Sequence, residues 1–299
     1  MRGRAESLPF SVLERESGKM EKSVKKYFPL FVLPTLVAFL IAFLVPFLLG
    51  IVLSFCKFTT VTNATFVGIS NYVKAFANED FFNALWFTVK FTVVSVISVN
   101  VIAFVLALGL TKGIKGTNLF RTVFFMPNLI GGIVLGYIWQ IIINGVLGHF
   151  GLTLSMDGKY GFWGLVVLMN WQLIGYMMII YIAGLQNISP ELIEAAKIDG
   201  ATKLQTLFNV TIPMVMPSVT ICLFLTLTNS FKLFDQNLAL TQGGPAKSTT
   251  MLALDIYNTF YGRMGWEGVG QAKAVIFFII VGVLAITQLV LTRRKEVEN

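Results

Sequence analysis

Six apolar stretches, at roughly 28–55, 83–110, 119–143, 161–185, 213–237 and 271–292, constrain this 299-residue sequence more than any motif in it. A helix needs about 20 apolar residues to cross a bilayer, and every stretch reaches that length. Helices satisfy their own backbone hydrogen bonds in lipid, so the sequence predicts an all-α membrane protein with about six transmembrane helices. Composition agrees: only 13% of residues are charged, against about a quarter in soluble domains. That is too little charge to coat a water-facing surface. Pro34, Pro46, Pro127 and Pro217 fall within or at the ends of these stretches, where neighbouring helices can re-satisfy the freed backbone. The first stretch is too long for the apolar region of a signal peptide, and no small-x-small cleavage site follows it. It is expected to stay in the membrane as an anchor.

Orientation follows from Lys and Arg, which are retained in the cytoplasm. Arg2, Arg4, Arg15, Lys19, Lys22, Lys25 and Lys26 precede the first span. Lys112, Lys115 and Arg121 lie between spans two and three, Lys197 and Lys203 between four and five, and Arg293, Arg294 and Lys295 after six. All of these fall on one side of a six-span chain. The other side holds Lys57, Lys74, Lys159, Lys247 and Arg263. Both the N- and C-termini are therefore expected to be cytoplasmic. Lys90, Lys232 and Lys273 sit near the outer ends of their spans, where they are expected to snorkel; Lys232 can also reach Asp235 one turn on.

Several functions are disfavoured. The acids lie outside the hydrophobic centres, Asp235 approaching closest, whereas ion-coupled carriers usually need an ionisable group near mid-membrane. The segment Gly243-Gly244-Pro245-Ala246-Lys247-Ser248-Thr249 fails as a phosphate loop, with Ala246 in place of the glycine before lysine and Pro245 disrupting the turn. His149, the one histidine, is in an outer loop with no catalytic or metal constellation around it. Cys56 and Cys222 read as small hydrophobes. The net charge of +8 is not a nucleic-acid signal, because the basic residues flank apolar runs and do not interleave with stacking aromatics. No metal, cofactor or nucleic acid is expected to bind this chain.

The connection between spans four and five, about 187–213, carries the most information. Ser189 suits an N-cap, Pro190 the first helical position, and Glu191 and Glu194 the positive helix end. Gly200 is placed to end that helix, and a second short helix from about Ala201 to Phe208 precedes Pro213. The result is a polar helix-turn-helix projecting from the membrane. Glu194-Ala195-Ala196, then Gly200, then Val210-Thr211-Ile212-Pro213 resembles the EAA loop of permease subunits of binding-protein-dependent ABC importers. Val210 and Ile212 are aliphatic variants of that pattern. Phe120-Arg121-Thr122-Val123-Phe124-Phe125-Met126-Pro127-Asn128, and Leu240-Thr241-Gln242-Gly243-Gly244-Pro245 with Ser248-Thr249-Thr250, are similar to segments of the maltose, glycerol-phosphate and multiple-sugar branch.

The resemblance implies a permease with no enzymatic residues of its own, translocating a sugar or oligosaccharide across a prokaryotic cell membrane. It implies a second permease subunit in a heterodimer, two ATP-binding subunits carrying ATP and Mg, and an extracellular solute-binding protein. Glu194, Ala195, Ala196, Asp199 and Gly200 would form the coupling helix docked on an ATP-binding subunit. Residues 1–27 would be a basic cytoplasmic tail, 28–295 the permease domain and 296–299 a short tail. An ion-coupled secondary carrier and a membrane-embedded enzyme are the rival readings.

For the solute path, Thr226, Asn229, Ser230 and Asn237 share a polar stripe on span five, and Gln172 and Tyr176 share a face of span four. In the maltose branch, residues at the positions of Tyr176, Thr226, Asn229 and Ser230 resemble substrate contacts, and Tyr176 keeps the residue type. The competing reading is that these polar side chains hold helices together. Trp139, Gln140 and Asn144 are weaker candidates.

Overall fold

A computed structural model describes residues 27–113, 115–294 and 296. The tail assigned to 1–27 and the last residues, 297–299, thus lie almost wholly outside the described residues. The chain divides into two compact units, through Leu53 and from Ser54 onward. The first contains α1, Tyr27–Leu53. Its α-helical pattern widens into a π-helical turn at Leu40–Leu44, where the Val45 N–H bonds to the Leu40 carbonyl. Pro46 follows at once; it lacks a donor and its ring crowds the carbonyl four residues back, and the wider turn makes room for it. Phe39, Phe43 and Phe47 stack one turn apart, with centroids 5.2 and 6.0 Å from one another.

The second unit begins with a two-residue antiparallel pairing of β1, Cys56–Lys57, with β2, Thr65–Phe66. Helices α2 (Ser70–Phe76), α3 (Glu79–Leu110), α4 (Thr117–Phe125), α5 (Gly132–Gly148) and α6 (Gly158–Gln186) follow. Then come α7 (Pro190–Ile198), α8 (Lys203–Met214), α9 (Met216–Phe231), α10 (Asp235–Leu240), α11 (Leu252–Gly262) and α12 (Glu267–Arg293). Among the described residues α1, α3, α6 and α12 are each long and apolar enough to cross a membrane.

The third and fifth expected spans are not single straight helices. The segment Thr117–Leu129 meets α5 at a bend of 102°, and α8 meets α9 at 71°. The first break is local chemistry: Pro127 sits in a 3-10 turn, Met126–Leu129, and Ile130 and Gly131 are extended before α5 begins. The second follows Pro213 and precedes Pro217, with Val215 leaving helical geometry between them. The fifth span also stops at Phe231, so Asn237 belongs to the separate helix α10.

Helices α3, α6 and α9 form the core. Phe91, Val99, Ala103 and Ala107 of α3 pack with Leu165, Leu168, Met169, Met177 and Met178 of α6, all essentially buried. A polar network stitches the three helices. Tyr181 Oη donates to Asn100 Oδ1 (2.8 Å), Asn100 Nδ2 donates to Thr226 Oγ1 (3.2 Å), and Thr226 Oγ1 donates to the Cys222 carbonyl (2.7 Å). The side chains of Tyr181, Asn100 and Thr226 thus all find partners inside the bundle, as an apolar surrounding demands. Gly175 lets α4 lie against α6, since a Cβ there would overlap the Phe124 carbonyl.

Lys273 does not snorkel. Its side chain is fully buried and Nζ donates to Asp255 Oδ2 (2.7 Å) and Thr259 Oγ1 (2.9 Å), joining α12 to α11. Asp255, which lies between the fifth and sixth expected spans, is itself buried. The Leu252 N–H donates to Thr88 Oγ1 (2.8 Å), which ties α11 to α3. Lys232 and Asp235 form no ion pair with each other, and Lys90 lies 5.6 Å from the centroid of the Trp86 ring.

Candidate functional site

The break between α9 and α10 opens a cavity of about 570 Å³ in the second unit, within the range of small-ligand sites. Tyr176 and Gln172 of α6 and Asn229 of α9 line it, as do Asn128, Lys232, Phe234, Asp235 and Gln236. The lining combines amides, one cation, one carboxylate and two aromatic rings, a set able to hydrogen-bond a polyhydroxylated solute and cover its apolar face.

Three of the five proposed path residues, Gln172, Tyr176 and Asn229, meet at this cavity. Thr226 and Ser230 do not line it; both are fully buried, and Thr226 belongs to the network with Asn100. Gln172 has structural duties as well. Its Oε1 accepts from Gln236 Nε2 (2.7 Å) and its Nε2 donates to the Ile130 carbonyl (3.3 Å). It thereby joins the extended turn before α5 to α10 beside the cavity. Tyr176 leans on Phe125, centroids 6.2 Å apart.

Asn237 organises the loop after α10. Its Nδ2 donates to the Thr249 carbonyl (2.8 Å) and its Oδ1 accepts from the Met251 N–H (2.9 Å). The glycine-rich segment that fails as a phosphate loop is held by the same contacts, and Lys247 pairs with Asp80 (2.8 Å). The weaker candidates also serve packing: Trp139 meets Trp171, Gln140 donates to the Leu240 carbonyl, and Asn144 accepts from the Leu154 N–H.

Sequence reasoning did not assign Asn128, Phe234 or Gln236 to the site. Pro127 was the available signal for Asn128, because a proline-broken helix exposes its next polar residue. Nothing local marks Phe234 or Gln236, which reach the cavity only because α9 ends at Phe231.

The loop between α6 and α8 has the expected caps. Ser189 Oγ accepts from the Glu191 N–H (3.3 Å), with Pro190 at the first helical position. At the other end the Ala201 N–H bonds back to the Ala196 carbonyl (2.9 Å), with Gly200 left-handed at φ +78°. This six-to-one closure is the geometry glycine favours after a helix. Thr202 and Gln205 form a reciprocal capping box that starts α8. Glu194, Ala195, Asp199 and Gly200 are exposed and Ala196 is half-buried. Ile198, Leu204 and Phe208 are 86%, 67% and 62% exposed, so the loop presents acids and apolar side chains together, which suits a protein interface.

The second unit thus combines helices long and apolar enough to cross a membrane, a polar cavity beside a helix break, and a capped helix-turn-helix between two long segments. The chain belongs to the family of binding-protein-dependent transport system inner membrane components, whose model matches residues 100–297. It is 43% identical to the probable starch degradation products transport system permease protein AmyD of Thermoanaerobacterium thermosulfurigenes, over 91% of this chain and 96% of that protein. It is 33% identical to the multiple sugar-binding transport system permease protein MsmF of Streptococcus mutans, covering 93% and 99%. The fold is shared with a bacterial ABC transporter that imports the acidic polysaccharide alginate, with a TM-score of 0.76, 21% identity and coverage of 92% and 99%. The chain is thus a permease subunit of an ABC importer in the inner membrane; ATP hydrolysis in such systems is the work of separate subunits.

Proposed function

We propose that this chain forms one half of the translocation pore for a sugar or oligosaccharide, with starch-derived glucans as the solute. The observation that carries the reading is the cavity between the broken helices, lined by Tyr176, Phe234 and the amides of Asn128, Asn229 and Gln236. The names of AmyD and MsmF point to the same solute class. The complete importer pairs this chain with a second, non-identical permease, two ATP-binding subunits that hold ATP and Mg, and an extracellular binding protein. The related alginate transporter has been seen with a periplasmic protein carrying an alginate pentasaccharide.

Closure of the ATPase dimer moves the helix Pro190–Ile198 through Glu194, Ala195, Ala196, Asp199 and Gly200, and the bundle turns its cavity from the inside to the outside. The solute then enters from the binding protein. In this orientation both termini and the 190–203 loop are cytoplasmic. A cysteine introduced at Thr65 or Ser155 should react with an impermeant reagent added outside intact cells, and one at Lys203 should not. Labelling at Lys203 in sealed cells contradicts the orientation.

The function is tested by reconstitution. In proteoliposomes the single chain should neither hydrolyse ATP nor accumulate labelled maltose or maltohexaose, whereas the assembled complex with its binding protein should accumulate them when ATP is supplied. Uptake by the single chain under a proton or sodium gradient would overturn the reading in favour of a secondary carrier.

A further inference from the structure

Helix α11 has two chemically distinct faces. On one, Asp255 and Thr259 are buried and held by Lys273, while Leu252 is tied to Thr88. On the other, Tyr257 and Tyr261 stand one turn apart and are 42% and 72% exposed. The rings continue inward: Phe234 lies 5.1 Å from Tyr257, and Tyr257 lies 4.9 Å from Tyr261, centroid to centroid. Phe234 is shared between two spaces. It lines the cavity with Tyr176 and Asn229, and it also lines a second cleft of about 360 Å³ with Tyr257, Phe260 and Tyr261. The three rings thus form a continuous track from the cavity wall to the surface.

We propose that Phe234, Tyr257 and Tyr261 extend the solute path outward as a stacking track for successive sugar rings, and that the track sets how long an oligosaccharide the importer accepts. The proposal rests on the carbohydrate reading above. A pyranose presents an apolar C–H face that packs on an aromatic ring, and its hydroxyls point outward in the ring plane. Tyr257 and Tyr261 offer both an apolar body and a phenolic hydroxyl. Neighbouring rings are tilted by 54° and 46° to one another, so the track offers a turning succession of apolar faces and not one flat platform. Rigidity is supplied from behind: the ion pair and threonine bond on the buried face fix the helix, so the rings need no ordering when solute arrives. Phe260 adds to the base of the cleft, 4.8 Å from Tyr261.

Aromatic residues at a membrane-water interface can also serve as a lipid belt, and exposed tyrosines can contact another protein. The three roles differ in dependence on solute length. A track should matter more for a long glucan than for a disaccharide, whereas a belt or a protein contact should affect both alike.

The test uses the complete importer with its binding protein in proteoliposomes, with ATP inside, and compares initial uptake of labelled maltose and maltohexaose. For Tyr257→Ala with Tyr261→Ala the ratio of maltohexaose to maltose uptake should fall about tenfold, the scale expected for losing two stacking contacts. Tyr257→Phe with Tyr261→Phe should retain most of the parental ratio. An unchanged ratio, or equal loss for both sugars, overturns the track and assigns the rings to lipid or protein contact. A parent importer that takes up maltose but not maltohexaose also overturns it, while leaving the proposed function standing. A parent that takes up neither sugar overturns starch-derived glucans as the solute, and the glucan track with them.

Discussion

Asp255→Ala should destabilise the protein strongly. The carboxylate is the ionic partner of a lysine with no exposed side-chain surface. Removing one member of a buried pair leaves an uncompensated charge and costs about 3–5 kcal/mol, a large part of a typical total stability of about 5–15 kcal/mol. Lys273→Ala should cost a similar amount by stranding Asp255. Thr259→Val should cost less, about 2 kcal/mol, because it removes the hydrogen bonds from Lys273 Nζ and to the Asp255 carbonyl but leaves the ion pair. The paired substitution Asp255→Leu with Lys273→Met should recover most of the loss, since apolar replacements of a buried pair are often neutral. Thermal unfolding of the detergent-solubilised complex distinguishes these outcomes. Equal midpoints for the parent and both single variants would mean that the charges are hydrated and the pair is not buried in the protein as it exists.

That pair also shows where sequence reasoning stops. Lys273 sits six residues into an apolar helix, and from sequence alone a lysine at such a place snorkels. Its partner lies 18 residues earlier on another helix, and only the packing of α11 against α12 brings them together. Thr226 is the same problem in a polar residue. A stripe on one helix face faces either a cavity or another helix, and the choice was made by Asn100, 126 residues away. Asn229, three positions on, took the other fate and lines the cavity.

Local chemistry, by contrast, was legible. The apolar lengths located α1, α3, α6 and α12, and Ser189, Pro190 and Gly200 marked the ends of α7. These signals act within a turn or two of chain, so no tertiary information is needed to read them. Bends were not legible as bends. Pro127 falls inside the third apolar stretch and Pro213 at the start of the fifth, and a proline in a membrane helix is compatible with a kink, a break or a straight passage.

The second large effect is expected at the loop between α6 and α8. Gly200 has φ +78°, and a Cβ there would meet nothing within 4 Å in this chain. Gly200→Val therefore causes no clash within the subunit. Its cost is conformational, about 1 kcal/mol or more for a left-handed non-glycine residue and greatest for a β-branched one. The helix end would unwind or shift, and the valine side chain would project from the surface proposed to dock. Glu194→Lys reverses an exposed charge on the same surface, where juxtaposing like charges costs several kcal/mol. Neither residue lines the cavity, so both variants should insert and retain the bundle while losing most transport.

Coupling through this loop is the central claim, and it is tested by measuring ATPase activity and solute uptake on the same reconstituted importer. The parent, Gly200→Val, Glu194→Lys and Tyr176→Ala are compared, with assembly of each complex verified beforehand. The account predicts that solute-stimulated ATPase and uptake fall together, at least about tenfold, for the two loop variants, a change of about 1.4 kcal/mol or more. For Tyr176→Ala it predicts a shift in the solute concentration that half-saturates uptake. Gly200→Val and Glu194→Lys complexes that assemble, hydrolyse ATP and transport like the parent would contradict it, and would reduce the helix Pro190–Ile198 to a connector between spans.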